Sequence, residues 1–316
     1  MKRKLKIGLA LGSGGARGMA HLGVLRALRE AGIEADLVAG TSSGALVGMS
    51  YAAGRLESMT DVVENIDWRQ ALSYFMEARL PHSGLIDGVR VLKFIRHYTR
   101  GRLLEELALP FAAVATDLAS GGEVVLKAGE ADRAIRASLS IPGLFTPVNF
   151  EGRFLVDGGL VNPVPVNVVR KMGADFVIAV DVVHFEPLTA DQMTGRKPGK
   201  RAPARGAPRL RKWVKEASLK WRERATHSFL APMLKAVEEW DQEPGLFDVL
   251  GIALRIMESQ IAERRFREEP ADYLIRPKLG NVFFMEFHRS PEIVKWGYEA
   301  GRAAAPEILR MLKDRE

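Results

Sequence analysis

The residue types and spacings that could do chemistry in this chain gather at three places: Ser42, Asp157 and a loop carrying Gly12, Gly14 and Gly15. Ser42 lies in Gly40-Thr-Ser-Ser-Gly44, between an apolar strand, Ala35 to Ala39, and a run of small residues with helical character. A serine at the tip of a sharp strand-to-helix turn needs near-absent side chains around it, and Gly40 and Gly44 supply them. The following helix aims its N-terminal N–H groups and positive dipole end at the same place, which favours an alkoxide or oxyanion. An oxygen nucleophile fits this pattern, and so does a Gly/Ser loop that merely caps a core helix.

The second place is Gly12-Ser-Gly-Gly-Ala-Arg-Gly18, which follows a buried strand, Leu5 to Leu11, and opens a helix, His21 to Ala31. Consecutive N–H groups free of side chains can cradle a phosphate or form an oxyanion hole. Nucleotide motifs fail in detail. The dinucleotide fingerprint wants Gly where Arg17 stands, and a P-loop wants Gly-Lys-Ser/Thr. Arg17 is open to two roles, a structural one within the loop or contact with an anionic head group. Both loops fall at carboxyl ends of early strands, the edge where open α/β sheets bind ligands, so they are expected to face one site. Asp157 ends a short strand, Arg153 to Val156, and begins Asp157-Gly158-Gly159. Its carboxylate can point out of the sheet edge, or close an Asx-turn on the glycine backbone.

These residues need a scaffold, and 316 residues with 47% hydrophobic content can bury a large core. There is no cysteine, which removes disulfides, thiolate metal sites and a sulfur nucleophile. No metal motif is visible, and no cofactor is expected. The basic start of the chain meets Gly12 and Arg17 too soon for a secretory signal, and no stretch approaches about 20 continuous apolar residues. A cytoplasmic location, peripheral on the inner membrane face, is expected. Further strands are expected at Phe111–Thr116, Glu123–Leu126, Phe176–Val183 and Asp272–Pro277. Helices are expected at Arg55–Asn65, Val89–Tyr98, Asp132–Leu139, Phe229–Trp240, Leu246–Arg265 and Ser290–Leu312, with Pro81 to Gly84 a break. Ser140 to Pro147 excludes regular structure, and Leu144 and Phe145 suit either an apolar pocket or core packing. His82 and His97 read as surface residues. His184, His227 and His288 follow Asp157 in chain order, so a Ser-Asp-His triad is a rival, with His184 nearest to a strand end.

Residues Gly195 to Ala225 stand apart. They hold twelve Lys or Arg against two acids, a net +10, whereas the whole chain is +7 and the remainder is therefore net −3. The first half is rich in Gly and Pro and reads as a linker. In the second half Leu210, Trp213, Val214, Ala217, Trp221 and Ala225 fall on one helical face, with basic residues elsewhere. Such a helix suits an anionic lipid interface, or a core-packed helix with a solvated basic face. Nothing beside it resembles a nucleic-acid-binding motif, and no nucleic acid partner is expected.

Taken in order, Gly12-Ser-Gly-Gly-Ala-Arg-Gly18, Gly40-Thr-Ser-Ser-Gly44 and Asp157-Gly-Gly159 resemble the bacterial patatin-like phospholipases. Ala115-Thr-Asp-Leu118, Ala137 to Phe145 and Gly173 to Val180 strengthen the likeness, which is close over residues 5–183. The resemblance implies a three-layer α/β/α fold with a mostly parallel central sheet. It implies a single domain over residues 1–316, with 185–245 as a basic linker and helical insertion that acts as lid or docking arm. It also implies a Ser42-Asp157 dyad, an oxyanion hole at Gly12, Gly14 and Gly15, and support from Arg17, Gly40, Gly44, Gly158 and Gly159. The implied activity is hydrolysis of carboxylic esters in phospholipids or lysophospholipids, on a membrane surface met through Gly195 to Ala225. An acyltransferase or thioesterase using the same serine, or a vestigial lipid-binding regulator, are the alternatives.

Overall fold

The computed structural model describes residues 5–65, 88–187 and 246–315. The basic segment Gly195 to Ala225, the helix expected at Phe229–Trp240, the break at Pro81 to Gly84, and His82 and His227 lie outside these residues. The chain divides into two compact units, Met1–Phe185 with Leu254–Glu316, and Glu186–Ala253.

Eight strands form one mixed sheet: β1 (Ile7–Leu11), β2 (Leu37–Thr41), β3 (Phe111–Asp117), β4 (Glu123–Leu126), β5 (Val148–Phe150), β6 (Arg153–Asp157), β7 (Phe176–Val180) and β8 (Tyr273–Ile275). Their order is β5-β6-β3-β2-β1-β7-β8, with β4 also paired to β3. The contiguous run β3-β2-β1-β7-β8 is parallel, and β4, β5 and β6 are antiparallel. The parallel strands read as unbroken apolar runs because both faces are covered.

The two faces are told apart by alternate residues. One face of β1, β2, β3 and β7 offers Leu9, Leu11, Val38, Ala113, Ile178 and Val180 to a core shared with α1 (Ala20–Glu30), α2 (Ser43–Ala52), α3 (Leu56–Asn65), α4 (Val89–Thr99), α5 (Ala131–Ser138) and α8 (Ser290–Arg315). The other face offers Ala10, Ala39, Ala112, Val114, Val177 and Ala179 to α6 (Val166–Lys171) and to Ala262 and Phe266 of α7 (Leu246–Glu268). This is the three-layer arrangement. Strand β5 and helix α6 carry too few residues for periodicity to reveal them.

Helices α1 and α8 approach backbone to backbone. A Cβ on Gly23 would stand 1.9 Å from the Val294 carbonyl oxygen, and one on Gly297 would stand 2.0 Å from that of Ala20. Among the described residues no helix is long and apolar enough to cross a membrane.

Candidate active site

β2 delivers Ser42 to a turn that no ordinary residue prefers, with φ 54° and ψ −122°. Such a conformation costs on the order of 1–3 kcal/mol and persists only where the surroundings hold it. The two flanking glycines allow it by close approach. A Cβ on Gly40 would meet the Gly44 carbonyl oxygen at 2.4 Å, and one on Gly44 would meet the Leu11 carbonyl oxygen at 2.2 Å. Gly44 therefore presses the start of α2 onto the end of β1, where the glycine loop begins. Ser138 completes the clamp, its hydroxyl accepting from the Ser42 N–H at 2.8 Å and donating to the Val114 carbonyl at 2.6 Å.

Asp157 arrives on the antiparallel strand β6, paired with Ala115 of β3. Its main chain is held on both sides, the N–H donating to Ser140 O and the carbonyl accepting from Thr116 Oγ1. The carboxylate accepts from Ser42 Oγ at 2.5 Å and from the Gly159 N–H at 2.8 Å. The sheet-edge and Asx-turn readings thus coexist, one on each oxygen. Gly158 lets this turn lie against β3, where a Cβ would stand 2.3 Å from the Val114 carbonyl oxygen. Burial pushes the Asp157 carboxyl up to about 7, against the Ser42 and Gly159 hydrogen bonds that pull it down.

The glycine loop lies alongside. Gly14 and Gly15 both have positive φ, +150° and +57°. Their N–H groups carry no hydrogen bond among the described residues, whereas Ala16 N–H donates to the Phe284 carbonyl. Gly12 departs from expectation. Its N–H is taken by the Val180 carbonyl at 3.0 Å, continuing the β1–β7 ladder, so it cannot serve as an oxyanion donor. Its carbonyl instead receives His21 Nε2 at 2.7 Å. His21 is wholly buried in α1, desolvation lowers it to about 4, and the neutral ring must carry its proton on Nε2 to donate to that carbonyl. Arg17 resolves in favour of structure. It is 4% exposed, with Nε donating to the Val182 carbonyl at 2.7 Å and Nη1 to that of Gly280 at 3.1 Å, so it anchors the loop rather than facing a head group.

Gly15, Ser42 and Ser43 share one cavity of about 110 Å³, walled mainly by carbon from Met19, Leu46, Met59, Phe94, Leu139 and Phe287. Ser43 opens α2, so its N–H has no acceptor within the helix. Phe145 lines this cavity.

Among the described residues no histidine stands between Ser42 and Asp157, and His227 lies outside them. His184 Nδ1 lies 3.4 Å from Glu263, and its main-chain N–H donates to Asp181. His288 and His97 are exposed. Among the described residues the side-chain partner of Ser42 Oγ is the Asp157 carboxylate itself. Asp181, His184 and Glu263 have ligand atoms within 4.8 Å of one another, but Arg276 pairs with both carboxylates and already supplies the positive charge.

Three participants were invisible in sequence. His21 looked like an ordinary helix residue, and Ser138 sat unremarked in Ala137-Ser-Leu-Ser140. The third is Glu258 of α7, half-buried, whose Oε1 crowds Gly159 so closely that a Cβ there would meet it at 2.1 Å.

A patatin-like phospholipase family model matches residues 9–170, which include the glycine loop Gly12 to Gly18, Ser42, Ser138 and Asp157 to Gly159. An uncharacterized NTE family protein of Mycobacterium tuberculosis is 32% identical over 347 residues, covering 96% of this chain and 91% of that protein. The human patatin-like phospholipase domain-containing protein 6 is 38% identical over 182 residues, 56% of this chain and 13% of that protein. Among solved structures, VipD from Legionella pneumophila is similar over 96% of this chain and 67% of its own, at 15% identity and a TM-score of 0.48. With its ordered glycine loop, serine turn and Asp-Gly-Gly strand end matched in a single model, the chain belongs to the patatin-like phospholipase family.

Proposed function

We propose that this protein cleaves carboxylic ester bonds of phospholipids or lysophospholipids, with Ser42 as nucleophile and Asp157 as its base. The family supports lipid acyl hydrolysis in general. The finer reading rests on one observation, the 2.5 Å hydrogen bond from Ser42 Oγ to Asp157 beside an apolar cavity. A carboxylate at about 7 is a far better base than one in water, and is still half ionised at neutral pH.

In this reading the acyl chain lies along Met59, Phe94 and Leu139 and presents its carbonyl carbon to Ser42 Oγ. Attack forms the C–O bond while the hydroxyl proton passes to Asp157 Oδ2. The Gly14 and Gly15 N–H groups receive the oxyanion, with the dipole of α2 adding to the field. Collapse expels the alcohol, which takes the proton from Asp157. Water, deprotonated by Asp157, then releases the fatty acid and restores Ser42. The strained Ser42 backbone and its Ser138 clamp keep Oγ placed throughout.

The Gly195 to Ala225 segment, net +10, supports docking on anionic lipid. Two assays test the reading. Wild type, Ser42→Ala and Asp157→Asn are compared on a short-chain nitrophenyl ester and on lysophospholipid micelles, and only the wild type is expected to release acid. A Ser42→Ala variant that retains the wild-type rate overturns the assignment. An alcohol acceptor that outcompetes water would move the protein to the acyltransferases.

A further inference from the structure

The helix that follows the basic segment brings a second acid to the dyad, and nothing in the reaction above uses it. Glu258 Oε1 and Asp157 Oδ1 both crowd the same point beside Gly159, at 2.1 Å and 3.1 Å from where a Cβ would stand, so they lie within about 5 Å of each other. Among the described residues Glu258 has no ion pair. The cations of the neighbouring elements are engaged elsewhere: Arg255 with the His184 carbonyl, Arg265 with Glu123 and the Val161 carbonyl, Arg276 with Asp181 and Glu263, and Arg17 with the Val182 carbonyl. The groups facing Glu258 are Asp157 from β6, Asp181 from the end of β7 and the Ser13 hydroxyl of the glycine loop.

We propose that Glu258 is a positioning residue for the reaction, a carboxyl that stays protonated while Asp157 acts as base and whose ionisation closes the active pH range. The inference rests on the Ser42-Asp157 reading. Two carboxylates this close with no cation between them do not ionise together without cost, so the pair gives up its protons in two steps. Asp157 ionises first because Ser42 Oγ and the Gly159 N–H both donate to it. Burial, then the Asp157 charge, raise Glu258 to about 8, above the value of about 7 for Asp157. Between the two steps the single remaining proton sits on Glu258, and Asp157 is free to accept that of Ser42. Once Glu258 ionises, a second negative charge stands beside the dyad and the glycine loop, opposing the oxyanion that the loop must receive.

The test is the pH dependence of Ser42 phosphonylation by a fluorophosphonate. In this step the Ser42 O–P bond forms, fluoride leaves with the P–F bonding pair, and the serine proton goes to Asp157. The second-order rate is followed from pH 5 to 9.5 for wild type, Glu258→Gln and Glu258→Ala, with kcat/KM on a short nitrophenyl ester in parallel. The wild type should rise through about 7 and fall through about 8, losing roughly tenfold by pH 9. Both variants should keep the rise and lose the fall, and the alanine variant serves if the glutamine variant does not fold. A variant that keeps both limbs at reduced height, or a wild type with no alkaline fall, overturns the proposal. Labelling that persists in Ser42→Ala instead overturns the dyad reading beneath it.

Discussion

Replacing Asp157 by Asn should abolish activity and stabilise the protein, a combination that few substitutions give. The cause is the burial of a carboxylate with only hydrogen bonds, and no cation, to compensate it. Folding raises this carboxyl from 3.8 to about 7. The sign follows from proton counting: between those values the folded state binds more protons than the unfolded one, so stability from this group falls as pH rises. At 1.36 kcal/mol per pH unit the cost above pH 7 is about 4 kcal/mol. Asparagine does not ionise and escapes this cost, while a weaker bond to Ser42 or Gly159 takes back about 1 kcal/mol. The expected gain is on the order of 3 kcal/mol at pH 8, vanishing towards pH 4. Urea denaturation of both proteins at pH 4.5, 6 and 8 measures it. His21 titrates alike in both proteins and cancels in the difference, whereas Glu258 loses the Asp157 charge in the variant, so the difference reports Asp157 together with its coupling to Glu258. An Asn variant that is less stable at pH 8, or a difference that does not change with pH, would refute the argument.

Other outcomes follow from the same geometry. Ser138→Ala removes the acceptor of the Ser42 N–H and should lower kcat about tenfold with stability down by about 1 kcal/mol, read by parallel kinetics and denaturation. His21→Gln should flatten the acid side of the stability profile. With the folded ring held at about 4, the wild type loses up to about 3 kcal/mol as pH falls from 6.5 to 4, and a variant with the same slope would exclude His21 as the source. Met59→Trp fills the cavity, and should spare acetyl esters while reducing turnover of long acyl chains at least tenfold, seen in a chain-length series. Deleting Gly195 to Ala225 should abolish sedimentation with anionic vesicles and leave short soluble esters hydrolysed; unchanged sedimentation would remove the docking role.

What could be read from sequence was whatever local backbone demands impose. Gly40, Ser42 and Gly44 announce a sharp turn, Gly14 and Gly15 announce a loop of N–H groups free of side chains, and the apolar runs of β1, β2, β3 and β7 announce a doubly covered sheet. The antiparallel edge was not legible, because β5 and β6 are short and nothing local distinguishes the direction of a strand. Gly12 misled because a glycine-rich loop does not reveal which of its N–H groups the sheet ladder has already taken. His21, Ser138 and Glu258 act through contacts across 9, 96 and about 100 positions of chain, and a residue whose partner is that remote leaves no pattern around itself.

The glycine contact between α1 and α8 also imposes an order in time. Phe284 receives the Ala16 N–H and walls Gly15, and Gly297 seats α8 on α1, one turn from the glycine loop. A chain leaving the ribosome has its serine turn and its Asp-Gly-Gly strand end outside long before these partners emerge. The half-made protein therefore holds Ser42 and Asp157 beside a glycine loop that still lacks the Phe284 carbonyl on its Ala16 N–H.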